Sequence, residues 1–112
     1  MRNMSKKTWK LRVWNRMTEM QKLDILLTKA AVPHVYDNAQ RWRKSGEQII
    51  VLDYNGKRIW DAVWCEGTYG YEQGLLEVMG PKFIGRPNVI EGWLTARQIM
   101  KMWGCKNAAQ NR

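Results

Sequence analysis

The apolar positions of the chain fall into two rhythms. Between residues 18 and 33, Met20, Leu23, Leu27 and Ala30/Ala31 recur every three or four positions, the spacing of one helix face. Thr18 stands where an N-cap belongs, and Glu19 suits the positive end of the helix dipole. Pro33 ends the helix, because the residue before a proline is pushed out of the α region. From residue 47 the rhythm changes. The segments EQIIVLDY and KRIWDAVWC are rich in β-branched and aromatic residues and flank Asn55-Gly56. Both of those residues tolerate positive φ, as a two-residue type I′ turn requires, so this stretch predicts a β-hairpin. VYDNAQRWRK reads as a strand before it. The expected fold class is therefore α+β: a small antiparallel β-meander of about three strands, packed with an N-terminal helix and a C-terminal helix.

A two-residue turn sets the hairpin register. It places Tyr54 opposite Lys57, Asp53 opposite Arg58, Leu52 opposite Ile59, Val51 opposite Trp60 and Ile50 opposite Asp61. One face then carries Leu52, Ile50, Ile59, Val63 and Asp61, and the other Val51, Ile49, Trp60, Ala62 and Trp64. Both faces are largely apolar, which predicts a central hairpin covered on both sides, or on one side plus a partner. Asp61 breaks the pattern, since an unpaired carboxylate among aliphatics is costly. A tight turn at Ser45-Gly46 would put Arg41 opposite Ile50, within reach of Asp61. The simpler reading has Asp61 accepting backbone N–H bonds and fixing the loop that follows.

Elsewhere the pattern is less decisive. Residues 8–14 alternate like a strand with a basic face, yet Trp9, Val13, Met17 and Met20 fit a helix almost as well. Leu75, Leu76, Val78 and Met79 suit a short helix over 72–79, closed by Gly80-Pro81. A loop follows, with a short strand at 88–91. Thr95 then caps a helix over ARQIMKMW, with Gly104 at its C′ position. This organisation is one α+β domain over 18–104, preceded by a basic, Trp-containing arm (1–17) and followed by a basic flexible tail (105–112).

Charge sharpens that division. The 112 residues carry a net charge of +9. Residues 1–16 hold six cations and 101–112 three more, with no acid in either stretch, so the middle is neutral. Charge at the ends predicts attraction to polyanions. Seven tryptophans are more than a domain this size buries fully, so some are expected half-exposed, where an indole beside Lys or Arg stacks on bases or lines an interface. The candidate nucleic-acid contacts are Lys6, Lys7, Trp9, Lys10, Arg12, Trp14 and Arg16 of the arm, with Arg41 and Arg43 of the first strand. No apolar run approaches the ~20 residues of a membrane span, and no secretory signal precedes the basic N-terminus, so a cytoplasmic protein is expected. Cys65 and Cys105 suit reduced thiols of that compartment or a single bridge.

The chemistry for catalysis is sparse. The sequence has no phosphate-binding P-loop, dinucleotide fingerprint, HExxH or nucleophile elbow. With His34 the only histidine, a Ser-His-Asp triad or a multi-histidine zinc site does not arise, and neither cofactor nor metal is expected. An acid/base enzyme using Glu72 or Asp61 is a minor alternative. The stretch CEGTYGYEQGLLEVMG, residues 65–80, is more informative. Its glycines let a loop turn sharply, and Tyr69 and Tyr71 can then wall a shallow pocket with Glu72 at its rim. Tyr69, Tyr71, Glu72 and Asp61 are the candidate ligand-binding residues, and a nucleotide is a possible ligand. Simple packing of the loop onto the sheet is the competing account.

GTYGYEQGLLEVMG followed by EGWLTARQI, with LLTKAAVPH and WDAV upstream, resembles a group of small phage and prophage proteins of Gram-positive bacteria. The resemblance spans about residues 18–103 and leaves out the basic arm. Cys65 and Glu66 stand where such proteins often carry a histidine after the third strand. No functional residue transfers from the resemblance. What it implies is a viral origin and action in the cytoplasm of a bacterial host. Two functions follow as expectations. One is a non-enzymatic module that binds nucleic acid or a nucleoprotein. The other is an anti-defence protein that inhibits a bacterial immune complex such as CRISPR, or sequesters a signalling nucleotide. Host defence proteins and self-association are possible partners, and no membrane role is expected.

Overall fold

The computed structural model describes residues 6–37, 46–80 and 89–110, the side chains of 6–9, 89 and 105–110 aside. Two helices, α1 (Lys6–Arg16) and α2 (Glu19–Lys29), precede strands β1 (His34–Asp37), β2 (Gly46–Leu52) and β3 (Arg58–Cys65). A short 3₁₀ turn at Tyr71–Gln73 leads into β4 (Leu76–Gly80) and β5 (Val89–Leu94), and α3 (Ala96–Gln110) closes the chain. The strands form one antiparallel sheet in the order β1-β2-β3-β4-β5. The fold is thus an α+β five-strand meander with N-terminal helices and a C-terminal helix, two strands more than the expected three.

Each addition has its own cause. The 72–79 segment is a strand, not a helix: Leu76 and Val78 enter the core while Glu77 and Met79 take the opposite face. LLEVM satisfies both periods, and pairing with β3 decides between them. The expected short strand at 88–91 extends to Leu94. Residues 6–16 of the arm form a helix. α3 continues past Gly104, which sits in the helix instead of ending it. α2 starts as expected, with Thr18 and Gln21 forming a reciprocal capping box. Thr95 and Gln98 repeat that device at the start of α3.

The hairpin register holds at Val51–Trp60, Ile50–Asp61 and Ile49–Ala62. Its tip differs from the expected type I′ turn. The Asp53 carbonyl accepts from Gly56 N–H at 3.0 Å, Asp53 N–H donates to the Lys57 carbonyl at 2.8 Å, and Gly56 has φ +85°. This is a three-residue loop with a glycine in the left-handed region, stabilised by the Asp53 carboxylate accepting from the backbone of Asn55 and Lys57. A bulge then absorbs Ile59, so Leu52 pairs with Arg58 instead of Ile59. The two one-residue shifts cancel below Val51. Ile59 accordingly packs against the helix-covered core, and Arg58 comes to the side of Asp61.

One sheet face is the core. Ile49, Val51, Trp60, Ala62, Leu76 and Val78 meet Met20, Leu23 and Leu27 of α2 and Ile99 and Trp103 of α3. Trp60 and Trp103 meet edge to face at 5.3 Å. His34 ties α2 to β1: its Nδ1 meets the Val32 carbonyl at 2.7 Å and its Nε2 the Asp24 carboxylate at 2.8 Å. The sole histidine is therefore engaged structurally.

Candidate functional site

Two surfaces stand apart from the core, and each joins residues distant in sequence. The first is cationic. α1 contains no acid, and Lys10, Arg12 and Arg16 are exposed on it. Trp14 fixes the helix to the body. The Arg97 guanidinium lies 4.9 Å from the Trp14 ring and the Lys22 ammonium 5.4 Å. Each such contact contributes roughly 0.5–1 kcal/mol at an exposed site. Lys10 shares the Trp14 face of α1 one turn away, and exposed Lys101 follows Arg97 by one turn of α3. Trp14 thus brings the Lys10 side of the arm beside Arg97 of the C-terminal helix. Glu19 does not offset them from a free position. One of its carboxylate oxygens accepts from Ala96 N–H at 2.8 Å, capping α3, and the other from Lys22 at 3.2 Å.

The second surface is the Tyr-Gly loop. A depression of about 350 Å³ is lined by Glu66, Thr68, Tyr69, Tyr71, Glu72, Gln73 and the loop glycines, together with Trp93 of β5. Gly70 has φ +96°, and a β-carbon there would lie 2.9 Å from Leu75 Cβ and 3.0 Å from Trp93 Cα, so glycine alone allows the loop to close on β5. The Glu77 carboxylate, buried behind the loop, accepts from Tyr69 N–H at 2.9 Å. Trp93 N–H donates to the Tyr69 carbonyl at 3.3 Å. Trp93 adopts φ +55°, sparsely populated for a bulky residue, at a bulge in the β4–β5 pairing. Its indole stacks on Tyr69 at 5.0 Å and 18°, and both rings remain more than half exposed. Tyr71 turns the other way, against Trp64 at 4.7 Å, while the Trp64 indole N–H donates to the Tyr71 carbonyl at 3.0 Å.

The structure brings Tyr69, Tyr71 and Glu72 together and leaves Asp61 out of the depression. Asp61 is nearly sealed in the sheet. Its carboxylate accepts from Gln48 Nε2 at 2.9 Å and from Arg58 Nε at 2.8 Å, with Arg58 Nη2 also bonded to it. Its partners are therefore side chains of β2 and β3, not the backbone of the next loop. Lys6, Lys7 and Trp9 belong to α1, but their side chains lie outside the described ones, and Arg41 and Arg43 lie outside the described residues altogether. Sequence reasoning missed Trp93, Arg97 and Lys22. Only Trp93 carried a signal, as the one large ring in the EGWLT motif. A second depression of about 290 Å³ runs between the α1–α2 junction and the sheet end, lined by Asn15, Met17, Glu19, Lys22, Glu47 and Trp64 among others, and it shares Gln73 with the first. The α1–α2 junction and the Tyr-Gly loop thus flank adjoining depressions.

Among the described residues no His/Cys/Asp/Glu group could hold a metal ion, and no helix is long and apolar enough to cross a membrane. Fold and surfaces define a small α+β meander protein with a cationic N-terminal helix and an aromatic depression. No protein-family model, curated protein or solved structure matches the chain.

Proposed function

We propose that the chain is a phage-encoded, non-enzymatic protein that binds nucleic acid, alone or within a nucleoprotein complex, in the bacterial cytoplasm. The observation that carries this reading is the Trp14 clamp, which joins an acid-free helix bearing exposed Lys10, Arg12 and Arg16 to Arg97 and Lys101 of α3. Cations carried on formed helices neutralise phosphates without first losing the entropy of an unstructured tail. The viral origin rests on the GTYGYEQGLLEVMG and EGWLT motifs.

Fluorescence anisotropy with labelled single-stranded DNA, duplex DNA and single-stranded RNA tests the proposal. Binding at low salt that weakens steeply as salt rises is expected. Absence of binding to all three at low salt overturns it. The second reading, an anti-defence protein that contacts an immune complex or sequesters a signalling nucleotide, draws on the exposed Tyr69–Trp93 pair. A thermal shift with a cyclic or linear nucleotide would favour the sequestering form.

A further inference from the structure

We infer that the Tyr69–Trp93 depression receives a cationic side chain, an arginine or lysine in a basic segment of a partner protein. The depression is first an aromatic one. Tyr69 and Trp93 come from a loop and a strand over twenty residues apart, stack face to face, and still leave more than half of each residue in solvent. Trp60 and Trp103, by contrast, are drawn into the core. Aromatic faces attract nucleobases and organic cations alike, so the charge around the rings decides between them. Among the described residues no Lys, Arg or His lines the depression. Glu72 is exposed on its rim, and the Glu77 carboxylate lies behind the Tyr69 backbone. Lys22, a lining residue of the neighbouring depression, is held by Glu19.

Among the described residues, a phosphate brought onto these rings would meet the Glu72 carboxylate and no donor cation, whereas a guanidinium would meet an aromatic face and a carboxylate acceptor together. A planar guanidinium stacks on aromatic rings and is more weakly hydrated than an ammonium, so arginine is the preferred occupant. The volume of about 350 Å³ leaves room for such a head group and the start of its stem. The inference stands on different residues from the nucleic-acid proposal and does not depend on it. The two are compatible in a nucleoprotein, where phosphate and basic peptide lie side by side.

The test is a ¹H–¹⁵N NMR titration of the full chain with Nα-acetyl-arginine methylamide, with the lysine counterpart and with AMP. The Trp93 indole signal is assigned from Trp93→Phe. Saturable shifts centred on Tyr69, Gly70 and Trp93, larger for the arginine probe than for lysine and absent with AMP, are expected. Glu72→Gln, at an exposed position, should weaken the arginine probe by about two- to fivefold, the range of an exposed ion pair. Three results would each overturn the inference: no shift at these residues, preferential binding of AMP there, or arginine shifts spread equally over other surface carboxylates.

Discussion

Replacing either partner of the Arg58–Asp61 pair should destabilise the fold, and the two substitutions should differ in a definite order. Asp61 is 3 % exposed, whereas the Arg58 side chain is 45 % exposed. Asp61→Ala removes the acceptor of Gln48 and Arg58, but the guanidinium can turn to water. The loss is then mainly that of charge-assisted hydrogen bonds, about 1.5–3 kcal/mol. Arg58→Ala instead leaves a sealed carboxylate with Gln48 as its remaining neutral donor. Breaking a buried pair in that way costs about 3–5 kcal/mol. Urea denaturation of both variants at constant m-value measures the difference. For a domain of this size the larger loss corresponds to a melting point lower by well over 10 °C, at roughly 4–8 °C per kcal/mol. A double variant, Arg58→Met with Asp61→Leu, should recover most of the loss, because an apolar pair needs no charge compensation. If Arg58→Ala cost no more than Asp61→Ala, or less than about 1 kcal/mol, the bulge at Ile59 would not be delivering Arg58 to a buried carboxylate.

Other expectations concern separate parts of the molecule. Gly70→Ala should lower stability by more than about 2 kcal/mol by thermal melting, since positive φ and two close approaches oppose a β-carbon at once. Trp14→Ala should forfeit roughly 1–2 kcal/mol from its two cation contacts and weaken nucleic-acid binding, with Trp14→Phe recovering part of both. The Tyr36 phenol is held above its ordinary value by burial, then by its hydrogen bond to Glu47 and the nearby charge. The native state therefore holds that proton more tightly than the unfolded chain. Stability from Tyr36 is fully present below about pH 10 and declines as pH rises above it, and Tyr36→Phe should flatten this decline in urea melts between about pH 9 and pH 11.

The elements most legible in the sequence are those fixed by neighbours along the chain. The α2 cap, the Asn55-Gly56 reversal and the alternation through Ile49–Val51 and Trp60–Ala62 depend on local geometry, and each appears in the fold. What stayed hidden depends on partners far away. LLEVM became β4 because β3 offers it hydrogen bonds, and no residue inside the segment distinguishes that outcome from a helix. The Ile59 bulge leaves no mark in composition, yet it decides that Arg58, not Arg41, is the described cationic partner of Asp61. The loop tyrosines were identifiable as candidates from their glycines. Trp93 stood out only as the large ring of EGWLT, because its place beside Tyr69 needs both the β4–β5 pairing and a left-handed backbone at a tryptophan. The arm's charge was plain from the outset, but its meeting with Arg97 follows only from the helix that places Trp14 between two cations.

The account rests on that meeting of α1 and α3. The direct measurement is the dependence of duplex-DNA affinity on salt for the native chain and for Lys10→Gln/Arg12→Gln/Arg16→Gln. Each phosphate contact contributes about −0.9 to the slope of log K against log salt, so losing three contacts should flatten it by up to about 2.7. An unchanged slope in the triple variant, with its fold intact by circular dichroism, would contradict the proposed interface.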